Sequence, residues 1–315
     1  MKVSASNVLP KNKIKRTKGE RAFDFVNVSI MVFWAIVSVY PFWYILVMSF
    51  NTGADAATGP IWFFPREFTL ENYAYVLQYD RLHSAFIVTV LRCLIGPAIS
   101  VIVCMLAAFT LSKRFLPGRK TLLFFFMIPM FIGGTIISNY VVMANFGLLN
   151  NFLVYILPGA FGFFTMIIMR THIEQLPDEL QESAMMDGAG YVRIFFQMIL
   201  PLSMPVIAAF AFFAVVGNWL DYYTNLLYVT DRNLSTLQFV LYEIINRAEA
   251  TQLIDFTSTS SASQRRLMSM QNNTVPTPEV IKMTVMVVVT FPLLFVYPFF
   301  QKYFVKGMLT GAVKA

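Results

Sequence analysis

Charge is what this sequence has least of. Of its 315 residues only 13% are Asp, Glu, Lys or Arg, while 57% are hydrophobic. An ordinary soluble domain carries about 25% charged residues. Mean hydropathy is +0.62. This balance excludes a soluble globular enzyme and a disordered chain. Histidine and cysteine occur twice each. Cys93 and Cys104 share one apolar run. Their spacing is about 16 Å along a helix, too far for a disulfide. Two small hydrophobes are expected there, with no redox or metal chemistry. No Gly-rich phosphate loop of the Walker type occurs. The first 24 residues are polar and basic, without a short apolar core and cleavage site, so no cleavable signal peptide is expected.

What is present is a series of long uncharged runs. A spanning helix needs about 20 apolar residues. Residues 25–49 form the first run and 86–112 the second, interrupted once by Arg92. Thr121–Met169 is 49 residues without a charge. At 1.5 Å per residue it would reach roughly 74 Å, more than twice a bilayer core. It must fold into two spans, 121–144 and 151–169, around the polar break Asn145–Asn151. The last two are 194–220 and 283–304. The expected fold is an all-α polytopic membrane protein of six transmembrane helices. A basic arm (1–24) precedes them, a loop (170–193) joins spans four and five, a long loop (221–282) joins five and six, and a short tail (305–315) follows.

Six spans place both termini on one side. With the N-terminus in the cytoplasm, 16 Lys and Arg fall inside and seven outside, and the short inside loops are the basic ones. Basic residues favour the cytoplasmic side, so the topology is N-in and C-in. The net charge of +7 then serves topology and contact with anionic lipid, not nucleic acid.

On this topology all 17 acidic residues lie in loops or at span ends, and His83 and His172 sit at the interfaces. Without embedded Asp, Glu or His there is no proton relay and no membrane-embedded metal centre. Energy for transport would have to come from another subunit. Arg92 is the one charge inside a span. It either binds an acidic substrate or partner helix, or it snorkels or pairs with a loop carboxylate or backbone carbonyl.

The loop 170–193 breaks the basic pattern, with five acids against two bases. Pro177 suits the first position of a helix, and Asp178 and Glu179 its first turn, where the dipole favours negative charge. Leu180, Ala184 and Met185 share a face, and Gly188 and Gly190 suit the helix end and the turn beyond. A surface helix of about ten residues follows. An anionic leaflet would repel its acidic face. A protein partner with a cleft fits better.

Glu182-Ser-Ala-x-x-Asp187-Gly188-Ala189, then Phe195, Ile199-Leu200-Pro201 and Pro205, resembles the EAA loop of binding-protein-dependent ABC importer permeases. Ser183 replaces the second residue of the motif, a small-for-small change. The basic Ser112–Arg119 segment, Asn218-Trp219 and the C-terminal stretch 301–314 resemble MalG-like carbohydrate permeases over residues 22–315. The resemblance implies a non-catalytic subunit of the bacterial cytoplasmic membrane. Two permeases pair, the second a paralogue. Each docks on a cytoplasmic ATPase that uses ATP and Mg, none of it bound by this chain, and an extracytoplasmic binding protein delivers sugar. Carried over, Glu182 would pair with a basic residue in the ATPase cleft, with Ala184 and Ala189 on the cleft wall. Gly188 would give the sharp turn, Asp187 would cap or bond locally, and Pro201 and Pro205 would let span five bend.

Sugars are held by aromatic faces with amide and hydroxyl groups. Asn139, Tyr140, Asn218, Trp219, Tyr222 and Tyr223 are the candidates for the path, with Arg92 if it meets solute. Interfacial aromatics are more often belt residues. Two other readings stay open: a permease of the same superfamily for an amino acid, peptide or anion, and a membrane-embedded glycan-modifying enzyme. The anion permease would want more embedded cations than Arg92, and the enzyme would need paired catalytic groups.

Overall fold

The computed structural model describes residues 17–56, 58–59, 61–79, 81–257 and 276–312. Inside a bilayer every backbone N–H and C=O must be paired within its own segment, so the apolar runs become helices. Among the described residues the one bridge between extended segments joins Asn51 to Phe68. Three helices are long and apolar enough to cross: α1 (Lys18–Ser49), α2 (Leu82–Ser112) and the stretch Pro278–Gln301 of the last helix, Pro278–Ala312.

The other three runs are bent helix pairs, and the chain has six spans when each pair crosses as one. The third run, expected over 121–144, is α3 (Arg119–Phe131) and α4 (Ile136–Asn145), which meet at 119°. Pro129, Gly133 and Gly134 break the ladder, and the Thr135 hydroxyl caps the new helix by accepting from Ser138 N at 3.2 Å. The fourth, expected over 151–169, opens as two 3₁₀ turns (Phe152–Tyr155 and Leu157–Gly159). It continues 49° away as α5 (Phe163–Glu174). The fifth, expected over 194–220, bends by 77° at Ser203, between Pro201 and Pro205, before α7 (Met204–Leu220); the surface helix α6 (Asp178–Met186) precedes it.

Boundaries also move at the ends. α1 begins at Lys18, inside the expected arm, because Thr17 and Glu20 form a capping box: Glu20 N donates to Thr17 Oγ1 at 3.3 Å and Thr17 N to Glu20 Oε2 at 2.8 Å. The long loop expected over 221–282 contains a helix of its own, α8 (Leu237–Thr257), and the last helix, α9 (Pro278–Ala312), takes in most of the expected tail. Residues 258–275 of that loop lie outside the described residues.

Two ends of the molecule separate by their contacts. At one end the loops expected outside meet each other: Arg81 bonds Glu243 at 2.8 Å, Tyr155 Oη donates to Leu234 O at 2.8 Å, and Asn150 Oδ1 accepts from Asp231 N at 3.0 Å. At the other, the loops expected inside meet: Lys113 bonds Gln181 and Arg119 pairs with Glu174. A core of Cys104, Met105 and Ala108 from α2, Met166 and Met169 from α5, and Phe195 lies beneath the second end. A separate cluster with Trp219, Val240 and Val285 supports the first. Both cysteines are buried and free, as their spacing required.

Candidate functional site

The acidic helix α6 lies on the surface of the second end. Pro177 sits one residue earlier than expected, in the extended cap position, and Asp178 and Glu179 fill the first turn. The other terminus explains Asp187-Gly188-Ala189. Gly188 has φ +80, the left-handed conformation that glycine adopts without strain. Its N–H donates to Met185 O at 3.0 Å, and Ala189 N donates to Ala184 O at 2.9 Å. Those two bonds are the Schellman closure of a helix, with Asp187 as the last cap residue. A Cβ at Gly188 would meet nothing within 4 Å, so a substitution is opposed by φ alone. Gly188→Ala is expected to cost about 1 kcal/mol and Gly188→Asn clearly less, because asparagine tolerates this conformation. Thermal unfolding of the purified protein in detergent checks the order.

α6 is tied to the body at three points. Gln181 is its buried residue and receives a hydrogen bond from Lys113 Nζ. The Lys113 ammonium also lies over the Phe109 ring at 4.5 Å and the Tyr191 ring at 5.7 Å. Burial pushes its pKa below the ordinary lysine range, against the opposing pull of Asp178. Ala184 and Ala189 pack on this chain's own core, which occupies the side for which a cleft-wall role was expected. Phe195, 1% exposed, sits 5.5 Å from Phe109 in a π-helical turn (Phe195–Ile199) that runs into Leu200 and Pro201. An inserted residue of this kind often marks a functional bend. Leu200 is half-buried against the same core. α6 thus forms one unit with α2, α5 and the base of span five.

Its outward face is Glu182, Ser183 and Met186. Glu182 is exposed and has no ion pair among the described residues. Among the described residues Ser183 Oγ bonds only its own helix, donating to Leu180 O at 3.1 Å. Met186 is 89% exposed. Beside the helix lies a cavity of about 360 Å³ lined by Lys113, Phe115, Asp178, Glu182 and Tyr191. Lys113, Gln181 and Met186 were not singled out from sequence. Gln181 has no local signal, since what buries it comes from a loop 68 residues away.

The path candidates scatter. Asn139 is exposed on α4, its amide against Gly134, and Tyr140 stacks on Tyr228 at 6.1 Å. The Asn218 amide lies against Gly96 of α2, where any Cβ would stand 2.9 Å from Nδ2. Trp219 is 5% exposed and donates its N–H to Val289 O at 3.1 Å. Tyr222 stacks on Tyr242 at 4.9 Å, and Tyr223 is exposed. Trp219 and Tyr222 share a cavity of about 480 Å³, with Phe42, Gln238, Tyr242 and Met286 among its walls.

Arg92 is not open to a solute. It pairs with the Asp221 carboxylate, donates to Asp221 O at 3.2 Å and lies over the Tyr155 ring at 4.7 Å. Tyr155 Oη, whose one hydrogen is shared between Leu234 O and Asn225 Oδ1, lies 3.0 Å from the latter, and Asp221 Oδ1 caps the next short helix by accepting from Tyr223 N at 2.9 Å. Burial would raise the Asp221 pKa, but hydrogen bonds from Thr224 and Arg92 outweigh it and hold it below the usual carboxylate value.

Comparison with known proteins agrees with this architecture. Residues 105–310 match the family model described as binding-protein-dependent transport system inner membrane component. Protein LplC of Bacillus subtilis is 38% identical over 95% of this chain and 97% of its own length. The polygalacturonan/rhamnogalacturonan transport system permease protein YtcP of the same organism is 34% identical over 93% and 99%. A crystal structure of a bacterial ABC transporter involved in the import of the acidic polysaccharide alginate contains a chain with a TM-score of 0.78 and 25% identity, matching 92% of this chain and 99% of that one. With the bent spans and the acidic helix in place, these matches show that the chain belongs to the binding-protein-dependent transport system inner membrane components, the membrane-embedded permeases of ABC importers.

Proposed function

We propose that this permease takes up a saccharide, oligomeric rather than single, delivered by an extracytoplasmic binding protein. We also propose that it is driven through α6 by a cytoplasmic ATPase and works beside a second, paralogous permease. The named cargoes of the relatives support the saccharide. The basic residues of the short loops support an N-in, C-in orientation with α6 in the cytoplasm. The observation that carries the coupling reading is how α6 is presented. Its exposed face offers an acid, a serine and a thioether, while its buried face is locked to α2 and the π turn. Glu182 would meet a cation of the ATPase, with Met186 beside it as the apolar contact. Closure of the ATPase dimer on ATP and Mg would carry α6, and the bend at Ser203 would let α7 follow as a rigid body.

For the path, the cavity holding Trp219 and Tyr222 offers aromatic faces and the Gln238 amide. The Gln238 Oε1 atom is buried without a partner among the described residues. The cation at membrane depth, Arg92, is already matched by Asp221, so a uronate carboxylate would find no free charge on it. Ions in the cargo would then be read by the second permease or the binding protein.

The test is ATPase activity of the reconstituted complex, with and without saccharide-loaded binding protein. Wild type should be stimulated, and Glu182→Ala should abolish the response or release the ATPase. If no ATPase co-purifies with wild type and Glu182→Ala changes nothing, the coupling assignment fails. A panel of neutral and uronate oligosaccharides on the wild-type complex then identifies the cargo class.

A further inference from the structure

The loop between α2 and α3 holds more positive charge than its side of the membrane requires. Four cations, Arg114, Arg119, Lys120 and Arg170, line one cavity of about 450 Å³ with Leu116 and Gly118. Gly118, at φ +74, turns the chain back on itself so that Arg114 before it and Lys120 after it share the cavity. Two of the four are used within the fold. Arg119 pairs with Glu174 and donates to Leu111 O at 2.7 Å, and Arg170 bonds the same carboxylate at 2.8 Å. One carboxylate therefore faces two guanidinium groups. Arg114 and Lys120 are exposed and have no ion pair among the described residues. The cavity keeps a net surplus of cations that nothing among the described residues neutralises.

Its surroundings point to the missing anion. α3 leaves the cavity with no buried residue, and Leu122, Phe124 and Phe125 of its first turns are exposed. A charged cavity opens at the foot of an apolar helix. A ligand with one anionic end and a hydrocarbon body matches both parts. Free phosphate would use only the first, and an acidic protein surface would leave the aromatic face bare. We infer that this cavity binds the phosphodiester headgroup of an anionic phospholipid, with Arg114 and Lys120 as its free contacts and the acyl chains along α3. Juxtamembrane cations of this kind are drawn to anionic leaflets. The site lies on a different face of the loop from the α6 cavity: the two share Arg114, but Lys120 and Arg170 belong only to this one. It does not rest on the cargo or the ATPase.

Native mass spectrometry of the full-length protein tests it, after delipidation and titration with phosphatidylglycerol or phosphatidylcholine. Wild type should retain phosphatidylglycerol selectively. Arg114→Gln with Lys120→Gln should weaken that retention roughly tenfold, each cation near a membrane surface contributing severalfold. Arg114→Lys alone should keep most of it. Both positions are exposed, and an unchanged thermal unfolding midpoint shows that the double variant folds. Equal retention of the two lipids, or of phosphatidylglycerol by wild type and double variant, overturns the inference. Competition by millimolar inorganic phosphate without any lipid preference would show a free-anion site and overturn it too. So would loss of co-purifying protein partners from the double variant in lipid-free micelles, which would make the cations a protein contact.

Discussion

Replacing Asp221 by asparagine is expected to destabilise the protein by about 3 kcal/mol, the range for removing one partner of a buried ion pair. The side chains of Arg92 and Asp221 are 4% and 25% exposed. The asparagine could still cap Tyr223 and Thr224 through its side-chain carbonyl, so the change isolates the charge. What it strands is the more buried member. A guanidinium cannot shed its proton, and its remaining partners are the backbone carbonyl of residue 221 and the Tyr155 face. Arg92→Met should cost less, about 2 kcal/mol, because a stranded carboxylate can take up a proton and still holds Thr224. The double variant should recover part of the sum, and a double-mutant cycle on detergent unfolding measures the coupling. Additive losses would mean the two do not act as a pair. The same contact sets an acid limit. Asp221 titrates lower in the folded state than in the unfolded chain. Its contribution is therefore complete above the ordinary carboxylate pKa of about 4 and is lost as pH falls below it. Asp221→Asn should lack that acid-sensitive component.

Phe195→Ala is expected to cost about 3 kcal/mol, at the lower end for a buried phenylalanine. Lipid is as apolar as a protein interior, so the transfer part of the penalty shrinks wherever the unfolded chain stays in the membrane. The lost packing does not shrink. Phe195 touches Phe109 of α2 and Phe196, and an alanine leaves the centre of the core under α6 unfilled. Phe195→Leu should lose about half as much. Phe196→Ala, on the exposed side of the same turn, should change stability by under about 0.5 kcal/mol. The functional consequence separates Phe195 from an ordinary core residue. With its seat loosened, α6 should lose stimulated ATPase activity while basal activity of the complex persists. Full stimulation in Phe195→Ala would show that the π turn is not part of the coupling route.

Much of this was legible in the sequence because hydropathy acts over windows of about twenty residues. The apolar runs place the membrane helices, and Asp187-Gly188-Ala189 encodes a helix end whose bonds are all local. Thr17 and Glu20 form a readable capping box, but it lies beyond the first charge and so outside any uncharged run. Gly133 and Gly134 likewise announce the break in the third run, but not its 119°.

What the chain's order alone determined is therefore its class: membrane-embedded and helical, carrying an acidic motif that resembles the one of the family. Tertiary structure decided which of those residues are available. Arg92 is spoken for by Asp221, 129 positions away, and Trp219 by Val289, 70 positions away. Lys113 is drawn onto Gln181, while Arg114, its neighbour in sequence, is left free of any ion pair among the described residues. Hydropathy and helix ends are sums over adjacent residues, so they survive in one dimension. Whether a charge is neutralised or an aromatic face is covered depends on what the fold brings within about 4 Å of it, and that is set only when the helices pack.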